Sequence, residues 1–181
     1  MGLILFAALF STQAPAASAP GFEPREYQIK AVFLFNFAQF VEWPQAAFAD
    51  ARSPFVVAIL GDDPFGTALE ETVRGERLNG RSLAVIRSSR IEDIVGCHIL
   101  FISRSEAGRL EEILSALKGR SILTVSDIEG FSRQGGMIQF VTENNKVRLR
   151  INNDAARSAG LTISSKLLRP SQATLLWRTT R

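Results

Sequence analysis

Three places in the sequence group residue types that could do chemistry. Asp62 and Asp63 are adjacent carboxylates directly after an apolar run, Phe55 to Leu60. Ser103, Arg104 and Ser105 follow a second run, His98 to Ile102, and Ser126 and Asp127 follow a third that starts at Ile122. Paired carboxylates after a first strand resemble the acidic pocket in which a phosphoacceptor domain holds Mg²⁺. That pattern then fails on its other members. Ser103 stands where an aspartate acceptor is needed, and no lysine lies near the end of a fifth strand to hold a phosphate. Asp62 and Asp63 also suit the start of a helix opened by Pro64, where carboxylates cap free N–H groups and face the positive end of the dipole.

The remaining chemistry is sparse. One Cys and one His cannot assemble a Cys/His metal cluster, an internal disulfide or a Ser-His-Asp triad. Cys97 fits a small buried hydrophobe; the other reading is a reactive thiol or a disulfide between two chains. His98 has no accompanying partner motif and fits a satisfied strand residue. No G-x-x-x-x-G-K-[ST] or G-x-G-x-x-G follows any strand, so no nucleotide loop is supported. Arg148 and Arg150 alternate with Val147, Leu149 and Ile151, which describes a solvated strand face or a stripe for anionic contacts. No catalytic, cofactor or metal residue is assigned, and the chain is expected not to be an enzyme.

These residues sit in 181 positions, 46% hydrophobic and 22% charged, enough apolar material for a single domain with its own core. A net charge of +3 is too small and too dispersed to argue for nucleic acid. Leu3 to Phe10 is a short apolar run followed by Ala17-Ser18-Ala19, the pattern of a secretory leader cleaved after Ala19. The expectation is a leader over 1–19, one α/β domain over 20–169 and a loose tail over 170–181, with the mature product outside the cytoplasm.

Along the chain, strands alternate with helices. Pro24 to Glu42 reads as an almost wholly apolar helix stopped by Pro44. Continuous apolar runs at Phe55 to Leu60 and His98 to Ile102 read as strands buried on both faces. Ser103 and Glu106 have capping-box spacing before a helix with Leu110, Ile113, Leu114 and Leu117 on one stripe. Asn144-Asn145 separates two short strands as a hairpin turn, because Asn tolerates positive φ. Four β-α repeats and a hairpin predict a three-layer α/β sandwich: a mixed, mostly parallel sheet, helices on both faces and a C-terminal hairpin.

One feature points to binding. The aromatic helix and its exit, Phe33 to Pro44, either pack wholly into the core or leave part of their surface to a partner. Phe40, Trp43 and the tail residue Trp177 are the candidate partner anchors, since aromatic side chains dominate interface energetics. Asp62, Asp63, Ser103 and Asp127 form the alternative, a small-ligand pocket at the strand ends.

The chain resembles the YfiR-like family. The resemblance is carried by YQIKAVFLFNFAQFVEWP (Tyr27 to Pro44), FVVAILGDDPFG (Phe55 to Gly66) and GCHILFIS (Gly96 to Ser103). It continues through ILTVSD (Ile122 to Asp127), GGMIQFVTENNKVRLRIN (Gly135 to Asn152) and AARSAGLTISSKLL (Ala155 to Leu168). It implies a periplasmic, cofactor-free and often dimeric α/β domain that restrains a partner. The implied partner is the periplasmic region of an inner-membrane diguanylate cyclase or sensor kinase, and an OmpA-like outer-membrane lipoprotein can sequester the repressor. Studied members of the family can hold internal disulfides linked to redox state, which a chain with Cys97 alone cannot form.

Overall fold

The computed structural model describes residues 22–168. The expected leader and the tail with Trp177 lie outside the described residues. The architecture is the predicted α/β sandwich, built on seven strands. In chain order the elements are α1 (Phe22–Phe40), β1 (Val41–Glu42), β2 (Phe55–Leu60), α2 (Ala68–Val73), β3 (Arg77–Leu78), β4 (Arg81–Ser88) and β5 (Ile99–Ile102). They continue with α3 (Leu110–Ala116), β6 (Leu123–Ser126), β7 (Ile138–Glu143), β8 (Lys146–Ile151), α4 (Asn153–Ser158), β9 (Thr162–Ile163) and α5 (Ser165–Leu168).

The main sheet runs β3-β4-β2-β5-β6-β7-β8. Its five central strands are parallel, and the two-residue β3 and the hairpin strand β8 are antiparallel at its edges. Period-two alternation divides each buried strand between two cores. Phe55, Val57 and Ile59 of β2, with Ile99 and Phe101 of β5, face a core closed by Phe33, Leu34 and Phe37 of α1 and by Leu69 of α2. Ala58 and Leu60, with Leu100 and Ile102, face the other core, closed by Leu110, Ile113 and Leu117. That is why these strands read as unbroken apolar runs.

Four local expectations are corrected. The first helix ends at Phe40, because the following residues extend and pair with β9, Val41 opposite Ile163, and the Ser164 N–H donates to the Phe40 carbonyl at 2.9 Å. Pro44 reinforces this by disfavouring helix at Trp43. The second helix begins at Ala68 and not at Pro64. Asp63 Oδ1 accepts the Phe65 N–H at 2.8 Å in a tight turn, and Gly66 then takes φ 54°. The Ser103 side chain makes no cap bond; Arg104–Arg109 form a 3₁₀ segment before α3. Asn153 reads from the sequence as the cap of a short helix ending at Gly160, but Asn152 caps α4, accepting the Ala155 N–H at 3.0 Å. The Asn144-Asn145 turn forms as expected, with φ 51° and 58°.

Candidate functional site

The parallel strands reverse winding direction between β2 and β5, and in sheets of this kind ligands enter the crevice outside the carboxyl ends at that switch point. Gly61 and Asp62 lie on one side of it, and Ser103, Ser105 and Glu106 on the other. Here the crevice is filled by the chain itself. The Asp62 N–H donates to Ser105 Oγ at 3.0 Å and the Ser103 N–H to the Leu60 carbonyl at 3.0 Å. Gly61 has φ +88°, and a Cβ there would collide with Ser105 Oγ and stand 2.8 Å from Glu106 Cγ. Glu106 is buried, with Arg109 as its ion partner, and Arg109 donates onward to the Ser89 carbonyl at 2.6 Å. The spacing read as a capping box therefore serves to plug the crevice.

The four residues of the expected pocket do not converge. Asp62 is exposed, and Asp63 pairs with Arg87 Nε at 2.7 Å, so the two adjacent carboxylates point to different surroundings. Arg87 also pairs with Glu70, and these bonds, led by Glu70, raise its guanidinium further from neutrality while lowering the Glu70 carboxyl. Ser103 is buried behind the crevice plug. Among the described residues no group of three or more His, Cys, Asp or Glu could hold a metal ion.

Asp127 instead belongs to a buried ionic cluster. Lys30 of α1 is 0% exposed, and its Nζ donates to Asp127 Oδ2 at 2.6 Å and pairs with Glu26 at 2.6 Å. The Tyr27 hydroxyl donates to the same Oδ2 at 2.8 Å, and Thr142 Oγ1 donates to Glu26 Oε1 at 2.8 Å. Burial, then the Asp127 charge, push the Tyr27 phenol well above its ordinary pKa. The Lys30 ammonium also lies 4.2 Å from the Tyr27 ring centre. Asp127 Oδ1 accepts no hydrogen bond; Arg104 Nε stands 3.3 Å away, an ionic contact without the alignment of a hydrogen bond. Asp127 lines a cleft of about 610 Å³ together with Arg104, Ala107, Ile128, Glu129 and Gln134. The sequence signal for the cluster was a single lysine on an apolar helix with a glutamate one turn before it.

The binding candidates are placed as follows. Phe40 is half-buried against the α1-side core. Trp43 is half-buried and committed internally: its Nε1–H donates to the His98 carbonyl at 3.2 Å, and its ring meets Phe55 edge-on at 4.9 Å. Among the described residues the exposed large apolar ones are Val32, 43% exposed, and Leu168, 40% exposed. His98 is stacked between Phe48 and Phe55 at 4.4 and 4.7 Å, and its Nδ1 accepts the Val56 N–H at 3.0 Å. The ring is thus held as the tautomer protonated on Nε2. Cys97 is 4% exposed, and burial pushes its thiol up to about 12, which makes it a poor nucleophile.

The chain is thus a doubly wound α/β domain whose switch-point crevice is closed by its own side chains. The YfiR/HmsC-like family profile matches residues 27–172, and the chain belongs to that family. The family is a periplasmic, regulatory one whose members act through a protein partner in signalling. Comparison with curated proteins gives no match. Among the described residues, no helix is long and apolar enough to cross a membrane.

Proposed function

We propose that the exported chain is a non-enzymatic regulator that binds the periplasmic region of an inner-membrane diguanylate cyclase and holds it off, lowering cyclic-di-GMP. Family membership across residues 27–172 is the observation that carries this reading. The plugged crevice agrees with it, since a repressor needs a surface and no reaction chamber. Control by occupancy sets a quantitative demand. Moving the cyclase from 99:1 on to 99:1 off requires about 10⁴-fold tighter binding to the off state. The regulator works as a homodimer, and an OmpA-like outer-membrane lipoprotein relieves repression by sequestering it. Phe40, half-buried at the end of α1, is the anchor of the expected set.

The test is cellular cyclic-di-GMP. Deleting the gene raises it, restoring the exported chain lowers it again, and a form without residues 1–19 does not. An unchanged level after deletion overturns the reading. A second reading, a periplasmic small-ligand module, is favoured by Asp127, which lines a cleft and whose Oδ1 accepts no hydrogen bond. A thermal shift with a periplasmic metabolite, lost in Asp127→Asn, is its expected signature.

A further inference from the structure

Among the described residues the hairpin leaves the β8 edge of the sheet open. In a two-residue hairpin the residues flanking the turn, Glu143 and Lys146, form a hydrogen-bonded pair, and such pairs recur at every second residue. The phase is confirmed two residues beyond Arg150, where the Asn152 N–H donates to the Met137 carbonyl at 2.7 Å. Lys146, Arg148 and Arg150 therefore bond β7. The N–H and C=O groups of Val147, Leu149 and Ile151 point away from it, and none has a hydrogen-bond partner among the described residues. These six groups form a template for one more antiparallel strand.

The side chains along that edge define what fits. On the solvent face stand Lys146, Arg148 and Arg150, all exposed, with Glu143 as the single carboxylate shared by both arginines at 3.3 and 3.6 Å. On the core face Leu149 and Ile151 are only half-covered. We propose that β8 is a docking edge for an extended acidic strand of a protein partner, which alternates carboxylates over Arg148 and Arg150 with apolar residues over Leu149 and Ile151. A second copy of β8 is the wrong occupant, because it would set arginine and lysine rows against each other, and like charges directly opposite are destabilising. The chain's own segments outside the described residues are also wrong: 1–21 contains no acidic residue, and neither does 169–181, which carries Arg169, Arg178 and Arg181. This deepens the proposed regulatory reading by giving the partner's chemistry, and it rests on that reading only for the partner being a protein.

The probe is a blocked seven-residue peptide alternating valine and glutamate, compared with its valine-lysine counterpart, added to the mature chain at low salt. The expected result is at least tenfold slower amide exchange at Val147, Leu149 and Ile151 with the glutamate peptide and no change with the lysine peptide. In Arg148→Glu/Arg150→Glu, whose side chains are exposed, the preference reverses. Equal effects of both peptides, no protection from either, or amides already protected without peptide each overturn the proposal. Failure here with cyclic-di-GMP still rising on gene deletion removes the edge and keeps the regulator; the opposite pattern removes the regulator and keeps the edge.

Discussion

At the scale of single residues, Gly61 carries the strictest requirement. Its φ of +88° costs a side-chain-bearing residue about 1–2 kcal/mol, and the collision with Ser105 and Glu106 adds an overpacking cost of about 1–3 kcal/mol. Gly61→Ala is expected to lower the urea midpoint accordingly, and adding Ser105→Gly should return part of the loss. No return would mean that the backbone angle, and not the plug, dominates. His98 gives a pH dependence. Burial in its aromatic stack, helped by the Arg81 charge, holds its pKa below the ordinary value. A depressed folded pKa means that stability is full above the unfolded value of about 6.5 and is lost as pH falls below it. The melting temperature is therefore expected to fall between pH 7 and 5, with a shallower fall in His98→Gln; parallel slopes for the two proteins would remove His98 as the cause.

At the scale of elements, the Lys30 cluster fastens α1 to the end of β6. Removing one member of a buried ion pair leaves the other uncompensated, at a cost of about 3–5 kcal/mol. Lys30→Met, which strands both Glu26 and Asp127, is expected to lose at least that much in urea unfolding, Asp127→Ala, which leaves Lys30 paired with Glu26, should lose less, and the double variant should lose less than the two together. A double variant as unstable as the sum of its singles would mean that the pair is not coupled. This fastening was only half legible in the sequence. Hydrophobic periodicity exposes the apolar runs of β2 and β5 and the stripe of α3, because burial on both faces of a sheet leaves no other pattern. Asn144-Asn145 exposes the hairpin, because few residues tolerate two successive positive φ angles. Pairings across the fold leave no local mark. Lys30 meets Asp127 across 97 positions, and Ser105 meets Asp62 across 43, so neither the cluster nor the plug could be read from spacing. The same blindness made Ser103 and Glu106 read as a cap, although Glu106 is drawn into the crevice by Arg109. Trp43 read as a free anchor because its bond to His98 depends on where β5 lies.

At the scale of the whole molecule, one sheet serves two cores. Consecutive residues of β2 feed opposite sides, Phe55, Val57 and Ile59 toward α1 and Ala58 and Leu60 toward α3, and β5 does the same. Loosening either core must therefore disturb the strands that support the other, and the domain should unfold as a single cooperative unit. A regulator that works by occupancy benefits from this, because a rigid frame keeps the edge of β8 in one geometry when a partner arrives. The consequence can be measured with one ring. Trp43 packs on the α1-side core, so in a Trp177→Phe background its fluorescence reports that side alone. Ile113 lies in the opposite core, where Ile113→Val should cost about 1 kcal/mol. The expected result is that this change, made on the α3 side, moves the Trp43 transition to lower urea by the same amount as the far-ultraviolet circular dichroism transition. A Trp43 midpoint that stays in place while the dichroism shifts would mean that the two cores melt separately, and β8 would then rest on the α1-side core alone.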